Sequence, residues 1–581
     1  MRAISRSVPS VVSLMLALCV APMATAQTPL HSIPGNAYGI QFGWSIASGA
    51  DVDGDGVDDY VVGSPHDSLA GSTAGACRVY SGASGTLIHQ FLGPVIEDHG
   101  GWSVSLLEDI DGDGRAEVIM GIPFNDQVAS VAGMVRVYSG LTGSIIHTFL
   151  GGSMDDRTGL SVAGLGLGDV DGDGVSDFVV GSPRVDFPPF VTNGGRVDIL
   201  SGATGLPIRV IAPMTPWEYF GHAVAIVGDL NGDGIGELAV GAPLASTSGL
   251  NSGNVRVYDL APATPVLLFT VSPGIQADYL GRSVAGVGDL NGDLIPDFVA
   301  GAPHERPLYG PIPQPTPATP GSAWAFSGAD GAILHTFTGD NPGDFLGYSV
   351  SGVSDTTGDG VPDILVGAPW ANAGASPNRG YARLYSGATG AVVKTFWGAA
   401  DGAFTGYGVG GLQDVTQDGL GECIIGSIQY LPATPTVWGN GLVEVYAGEP
   451  AISASITTLG PGCSSAPPTP VLAVTTPLLG MDTTISISTG NPGDTGILFV
   501  SAPGALPLSL PGGCDVYLDF FTITSLLPIA LDGGGFWSLV APIPGDPALS
   551  GLEFVLQALL IPGSGPSGFE LSNGIGGTFG S

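Results

Sequence analysis

Short apolar runs, each closed by Gly or Pro, recur along most of the chain. Examples are YVVGSP, EVIMGIP, DFVVGSP and DILVGAP. They are too short for helices and rich in β-branched residues, and the turn residues that bound them are typical of strand ends. The pattern therefore predicts an all-β protein with many turns.

A unit of roughly 60 residues repeats seven times around these runs. Each copy carries a nine-residue acidic pattern, and the patterns start at Asp51, Asp109, Asp169, Asp229, Asp289, Asp355 and Asp414. A short strand such as FGWSIAS precedes the pattern, and a strand ending in GSP or GAP follows it. A third strand such as CRVYSG, a tight turn and a fourth strand such as SIIHTF complete the unit. Each unit is predicted to be a four-stranded antiparallel meander.

Meanders of this kind bury both faces only when they are stacked around an axis, which predicts a seven-bladed β-propeller. The seventh unit lacks a fourth strand, whereas residues 30–35 align with the fourth strand at 88–93. We therefore expect the N-terminal strand to complete the last blade, in a propeller domain spanning residues 28–449.

The FG-type start, the acidic loop and the GAP-type end occur together and in order in six units, so the chain resembles FG-GAP repeat proteins. It is similar to the propeller of integrin α subunits and to secreted bacterial proteins with such repeats. The resemblance implies calcium in the β-hairpin loops. It also places any ligand face opposite those loops.

The acidic loops carry oxygen donors at positions 1, 3, 5 and 9, with glycines between them. Calcium takes six to eight oxygen ligands, and glycine lets the backbone curl around the ion. An EF-hand would need Glu at position 12, where the first loop has Val62. Up to seven calcium sites are predicted.

The predicted ligands weaken along the chain, because the later copies have fewer carboxylates. They are Asp51, Asp53, Asp55 and Asp59; Asp109, Asp111, Asp113 and Glu117; Asp169, Asp171, Asp173 and Asp177; Asp229, Asn231, Asp233 and Glu237; Asp289, Asn291, Asp293 and Asp297; Asp355, Thr357, Asp359 and Asp363; and Asp414, Asp418 and Glu422, with Thr416 at position 3 of the last copy.

The formal charge of −37 excludes nucleic acid as a partner, because a chain this acidic repels phosphates. The loops explain much of this charge, since they hold 24 of the 52 Asp and Glu residues. The acidity is thus a signature of metal sites and does not imply a basic partner.

The first 26 residues have the layout of a secretory signal peptide. Arg2 and Arg6 precede an apolar run, and Ala24-Thr25-Ala26 ends it. No other segment is long and apolar enough to span a membrane. We therefore expect a protein that is secreted or held at the cell surface.

Residues 451–581 depart from the repeat and are predicted to form a small all-β domain resembling a β-sandwich. Cys463 and Cys514 are predicted to form a disulfide within it, in keeping with an extracellular location. The state of Cys77 and Cys423, which lie in strands of different repeats, is left open.

The residues that resemble catalytic groups mostly repeat. His31, His89, His147 and His335 share one position in the fourth strand, which favours a structural role, and Trp44 and Trp102 are interpreted as blade packing. No hydrolase, metalloprotease or phosphate-binding motif occurs. Aromatic residues in the variable loops are candidates for a ligand face, namely Trp217, Tyr219, Tyr309 and Trp370.

The sequence favours a binding module, an extracellular adhesion or recognition protein that binds a protein or glycan. An extracellular lyase or hydrolase with a site at the channel mouth is the main alternative. A structural surface-layer component is the third hypothesis.

Overall fold

Seven four-stranded antiparallel sheets account for the regular structure of residues 28–448 in the computed structural model. The structure describes these residues except 38, 188–190, 214, 274–276, 305–318, 375 and 430–438, and beyond 448 it describes only the backbones of strands. All the regular elements described are strands. The predicted fold class, an all-β seven-bladed propeller, is confirmed.

The two inner strands of each blade flank the acidic loop. The first strands of blades one to seven are β2 (Ile46–Ala50), β6 (Ser103–Leu107), β10 (Ser161–Ala163), β14 (Ala223–Ile226), β18 (Ser283–Gly288), β22 (Ser349–Val353) and β26 (Thr405–Leu412). The second strands are β3 (Asp59–Ser64), β7 (Glu117–Ile122), β11 (Phe178–Ser182), β15 (Leu238–Ala242), β19 (Asp297–Ala302), β23 (Asp363–Ala368) and β27 (Glu422–Ser427).

The two outer strands complete each sheet. The third strands are β4 (Ala76–Tyr80), β8 (Met134–Tyr138), β12 (Arg196–Leu200), β16 (Asn254–Asp259), β20 (Ser322–Phe326), β24 (Tyr381–Tyr385) and β28 (Leu442–Tyr446). The fourth strands are β5 (Leu87–Leu92), β9 (Ile145–Leu150), β13 (Pro207–Ile211), β17 (Val266–Val271), β21 (Ile333–Thr338), β25 (Val392–Trp397) and, for blade seven, β1 (His31–Pro34).

Hydrophobic contacts between neighbouring blades form the core. Every residue of the second strands is buried, because both faces of these strands are covered. Between blades one and two, Val61 and Val79 belong to the same buried cluster as Val118 and Met120. The outermost strands are partly exposed.

The propeller closes through pairing of the first and last strands. β1 pairs antiparallel with β28, with Ile33 opposite Val443. The Leu30 backbone N–H donates to the Val445 carbonyl at 2.7 Å. The first strands of adjacent blades contact each other around the whole circle, including β26 with β2.

The repeated histidines link successive blades. Their Nε2 atoms lie at hydrogen-bond distance from a glycine carbonyl in the turn of the next blade: His31 with Gly82 at 2.9 Å, His89 with Gly140 at 2.5 Å, His147 with Gly202 at 2.6 Å and His335 with Gly387 at 2.7 Å. Since a carbonyl only accepts, each Nε2 must carry the proton. The repetition of His at this position therefore has a structural cause.

The C-terminal unit, residues 451–581, consists of strands only in its described part. These strands are β29 (Ser455–Gly460), β30 (Val471–Val474), β31 (Asp482–Ser488), β32 (Thr495–Ser501), β33 (Pro503–Leu510), β34 (Cys514–Leu518), β35 (Ser525–Ala530), β36 (Trp537–Pro542), β37 (Glu553–Ile561), β38 (Glu570–Leu571) and β39 (Gly574–Thr578). One sheet has the order β29-β39-β37-β32-β35, with β38 also on β37. Separate sheets are β30-β31-β36 and β33-β34.

Cys77 and Cys423 are buried free thiols. Burial raises the pKa of Cys77 to about 12, so its reactive thiolate form is scarce. The predicted signal peptide and Cys463 lie outside the described residues, and of Cys514 only the backbone in β34 is described, so the predicted disulfide stays a prediction. Nowhere in the described part of the chain is there an apolar helix of membrane-spanning length.

Candidate functional site

The acidic loops connect the first and second strands of every blade, and their own side chains shape them. In the second loop, Asp109 accepts backbone N–H bonds from Gly112 at 2.7 Å, Asp113 at 3.2 Å and Gly114 at 2.8 Å. Asp111 accepts from the Asp113 N–H at 3.2 Å. Such aspartate turns hold the carboxylates of positions 1, 3 and 5 around one centre.

The acid at position 9 is fully buried in every copy, and its length decides what it binds. Where it is Asp, both oxygens accept backbone N–H bonds. Asp59 accepts from Val52 at 2.8 Å and from Gly82, in the turn between the third and fourth strands, at 3.0 Å. Where it is Glu117, Oε2 accepts from Ile110 at 2.9 Å, while the buried Oε1 has no hydrogen-bond partner.

Five of the seven loops bring at least three carboxylates together, with ligand atoms within 4.8 Å of one another. The groups are Asp109, Asp111, Asp113 and Glu117; Asp51, Asp53 and Asp59; Asp169, Asp171 and Asp177; Asp229, Asp233 and Glu237; and Asp414, Asp418 and Glu422. The loops of blades five and six, although fully described, form no such group. Loop seven, with the weakest donor set by sequence, does form one.

The electrostatics of these groups suit a divalent cation. Desolvation, reinforced by Asp111, Asp109 and Asp113, raises the pKa of Glu117 to about 8. Desolvation also raises the pKa of Glu237 and of Glu422 to about 7. A bound cation offsets this repulsion, and hard carboxylate oxygens are the donors that calcium prefers. The residues present therefore fit a calcium-sized ion, and the unpartnered Oε1 of Glu117 is a ready ligand atom.

Exchanging Glu117 for Gln should separate metal binding from folding. Gln retains an acceptor for the Ile110 N–H and places an amide among the carboxylates, so the metal-free protein should keep its thermal midpoint. Divalent-cation affinity at this loop should fall by about tenfold, as for the loss of one charged ligand. Calorimetric cation titration and thermal unfolding in EDTA measure the two effects.

Asp59→Asn is the contrasting variant, because both Asp59 oxygens accept backbone N–H bonds. It should lower the midpoint even in EDTA, by the equivalent of about 1–3 kcal/mol for a buried donor left without an acceptor. Equal behaviour of the two variants in EDTA would contradict this division of roles.

Leu294 occupies position 6 of the fifth loop, where the other six loops have glycine. Its φ of 68° is left-handed and its side chain is 90% exposed. Leu294→Gly should raise the free energy of unfolding by about 0.5–1 kcal/mol, because released strain of about 1–2 kcal/mol exceeds the added chain entropy. Urea unfolding measures the change.

The matched control is Gly234→Leu in the fourth loop, where a Cβ would meet nothing within 4 Å but φ is 91°. This variant should be destabilised by strain alone. A Leu294→Gly protein no more stable than the parent would show that the loop tolerates the left-handed leucine at no cost.

The opposite end of each first strand begins with the FG-type pair, whose second residue is a left-handed glycine with φ between 80° and 94° in every blade. Any side chain at this glycine would clash; a Cβ on Gly101 would lie 2.2 Å from the Ala76 carbonyl oxygen. The next residue lies within two positions of the first residue of the innermost strand. We call these seven residues the channel ring: Trp44, Trp102, Leu160, His222, Arg282, Tyr348 and Tyr407.

Most members of the channel ring touch their neighbours across blade boundaries. The Trp44 ring lies 4.6 Å from that of Trp102 and 4.5 Å from that of Tyr407 between centroids. Tyr348 donates a hydrogen bond from its hydroxyl to the Tyr407 hydroxyl at 2.7 Å. The guanidinium of Arg282 lies over the Tyr348 ring, 4.4 Å from its centroid.

Phe124 and Arg157 extend this chain of contacts. Trp102 and Phe124 are 5.1 Å apart between centroids, and the Arg157 guanidinium lies 5.0 Å from the Phe124 centroid. Arg157 and Arg282 both act electrostatically on His222. The ring contacts thus run through five successive blades, by way of Arg282, Tyr348, Tyr407, Trp44 and Trp102.

A profile described as "FG-GAP repeat" matches residues 42–80, 100–138, 161–200, 220–258 and 346–385. Each matched segment covers the first three strands of a blade, including its acidic loop. The chain thus carries FG-GAP repeats in five of its seven blades.

This FG-GAP propeller is similar to integrin α subunits. Integrin alpha-5 of Xenopus laevis is 31% identical over 232 residues, which cover 37% of this chain and 20% of the relative. Integrin alpha-IIb of Mus musculus is 32% identical over 231 residues, with the same coverage. Integrin alpha-V of Gallus gallus is 28% identical over 218 residues, 35% of this chain and 20% of the relative. The chain spans about a fifth of the length of these relatives.

The predicted ligand-face residues of the FG-GAP propeller have different environments. Trp217 is 56% exposed, whereas Tyr219 is buried. Trp370 is half-buried and packs edge-on against Tyr348 at 4.9 Å, which joins it to the channel ring. Tyr309 lies outside the described residues.

The sequence analysis missed the channel ring, because it interpreted Trp44 and Trp102 separately as blade packing. A signal was available, since each member directly follows the glycine of the FG-type pair. The signal was hidden because the seven positions carry five different residue types, Trp, Leu, His, Arg and Tyr, and none of these types occupies more than two positions.

Proposed function

We propose that this FG-GAP protein is a secreted, calcium-binding recognition module that binds an extracellular protein or glycan through the face bearing the channel ring. The observation that carries the proposal is the ring itself. Aromatic side chains and arginine are the residues that most often anchor ligands at protein interfaces, and here they contact one another at the starts of the first strands.

In this proposal the acidic loops have a separate, structural role. Calcium would be held by the carboxylates of the loops, best in the first four copies and loop seven, where they converge. The ion would neutralise acids that otherwise repel each other across each hairpin. The first strand of each blade runs from a channel-ring residue to its acidic loop, so a stable loop also holds the ring residue in place.

We further propose the domain plan in which a signal peptide, residues 1–26, is removed and a propeller, 28–449, is followed by an accessory domain, 451–581. Integrin α relatives make an extracellular or cell-surface location plausible for the propeller. The Cys463–Cys514 disulfide is part of this proposal, because such bonds persist outside the cell.

The test is binding of the calcium-loaded protein to glycan arrays and to arrays of extracellular proteins. Trp44→Ala and Trp370→Ala should abolish binding, and because each also removes aromatic packing against Tyr407, binding is measured at a temperature at which both variants are folded. Trp397→Ala, on the outermost strand of blade six, is the control and should bind like the parent. Binding that survives both ring-side variants would refute the recognition face, and turnover of an arrayed glycan would support the enzyme hypothesis.

A further inference from the structure

The channel ring has two chemically different halves. Tyr348, Tyr407, Trp44 and Trp102 form a continuous aromatic half. The other half is formed by His222 and Arg282, with the apolar Leu160 as the seventh member. Arg157 lies outside the ring and is already paired with Asp155 at 3.1 Å. Although the whole chain carries a net charge of −37, no carboxylate belongs to the ring. The charge carried by the ring is therefore opposite in sign to the net charge of the protein.

His222 lies at the centre of the basic half. Its side chain is 6% exposed, and neither ring nitrogen makes a well-formed hydrogen bond. Desolvation, then the charges of Arg282 and Arg157, hold the pKa of His222 well below its usual value. A buried imidazole without well-formed hydrogen bonds, next to guanidinium groups, is a favourable environment for an anionic ligand.

By itself the aromatic half would suit a cation, but an arginine of the chain already occupies this position. Arg282 already lies 4.4 Å from the Tyr348 centroid, and Arg157 lies 5.0 Å from that of Phe124. A second cation brought to the aromatic half would be repelled by the charge of Arg282, whereas the charge of Arg157 is already paired with Asp155. A carboxylate instead gains a guanidinium partner, and its aliphatic carbons gain aromatic surface.

The surroundings of the ring favour a protein as the bearer of this carboxylate. Apolar side chains are exposed on the loops of the same face: Leu69 at 57%, Ile96 at 57%, Val128 at 50%, Met154 at 72% and Leu250 at 64%. Repeated exposed apolar residues around a centre of arginine and aromatic side chains are typical of protein interfaces. A glycan would instead need many hydrogen-bonding groups for its hydroxyls.

The geometry points to a specific occupant: the channel ring receives the Asp or Glu side chain of a partner protein. Its carboxylate lies against Arg282 and His222, and its carbons lie against Trp44 and Tyr407. This inference rests on the proposed recognition function and adds the chemistry of the partner.

The experiment selects a displayed library of random cyclic peptides on the full-length protein with calcium. The peptides recovered should share an Asp or Glu. Replacing that residue by Asn or Gln, or making Arg282→Gln, should each weaken binding by about tenfold or more. The two changes together should cost little more than either alone, because they remove one interaction. Lys394→Gln, which removes a positive charge from an outermost strand, is the charge-matched control and should have no effect.

The outcomes separate this inference from the broader proposal. Peptides that bind through Trp44 but share no acidic residue, or that bind Arg282→Gln equally well, overturn the carboxylate inference alone. Enrichment of arginine-rich peptides does the same. Selective binding of uronic-acid glycans would mean that the carboxylate belongs to a glycan. That result would overturn the inference that the partner is a protein. Failure to recover any peptide whose binding depends on Trp44 would count against both proposals.

Discussion

Removal of divalent cations with EDTA should lower the thermal midpoint of the propeller by about 10 °C or more. Five loops gather three or four carboxylates within 4.8 Å, and without a cation these groups repel one another in a partly desolvated hairpin. Each site filled at a hundred times its Kd adds about 2.7 kcal/mol, and several sites act together. Differential scanning calorimetry with and without EDTA measures the shift.

Addition of calcium beyond the EDTA concentration should restore the midpoint, whereas added sodium at equal ionic strength should not. A variant with Asp109, Asp111 and Asp113 all replaced by Asn should show a smaller shift, because one loop no longer needs an ion. A midpoint that does not respond to EDTA would rule out a structural role for the cations.

Disrupting the closure of the propeller at blade seven should lower its stability more than removal of the cations does. Ile33→Asp places a charge where β1 packs into the core shared by blades seven and one, beside Val443 and Tyr60. We expect loss of several kcal/mol of stability, as for other unpaired charges buried in a core. The released β28 would present an unpaired strand edge, so the variant should also aggregate.

Ser32→Asp is the matched control, because Ser32 is the neighbour in β1 whose side chain faces solvent. It should change the midpoint little. A synthetic peptide covering residues 28–36, added to a chain that lacks them, should partly restore stability by occupying the vacant edge. Equal stability of Ile33→Asp and Ser32→Asp would show that β1 does not hold the ring closed.

The repeat could be predicted from the sequence because its determinants are local. The acidic loop needs aspartates at fixed spacings and glycines where φ is positive, and these residues act within nine positions. The second strands are uniformly apolar for a similarly simple reason, because both of their faces are buried between neighbouring blades. Local rules of this kind predict the blade, the hairpin and the blade count.

The fine differences among loops were harder to predict, because they depend on the combination of residues at positions 3 and 9. Copy seven appeared weakest from its Thr416, yet the longer Glu422 brings a carboxylate within reach of Asp414 and Asp418. Copies five and six combine the shorter Asp at position 9 with Asn291 or Thr357 at position 3, and they form no close carboxylate group.

Backbone strain on the face of the channel ring was invisible to sequence patterns. Seven residues, each two before the left-handed glycine, themselves have φ between 53° and 60°: Gln41, His99, Arg157, Tyr219, Tyr279, Phe345 and Phe404. Large side chains rarely adopt this conformation, which persists only where the surrounding structure enforces it. In this fold the neighbouring blade supplies that constraint.

By itself the sequence determined the all-β class, the seven repeats and the acidic donor sets, since each follows from spacing within a few residues. Only the tertiary structure decided which carboxylates converge and that Trp44, His222 and Arg282 share one ring. Those residues are separated by 60 or more positions along the chain and meet only because the blades close around an axis. The fold could thus be predicted from short-range sequence patterns, whereas the proposed recognition site forms only when the propeller closes.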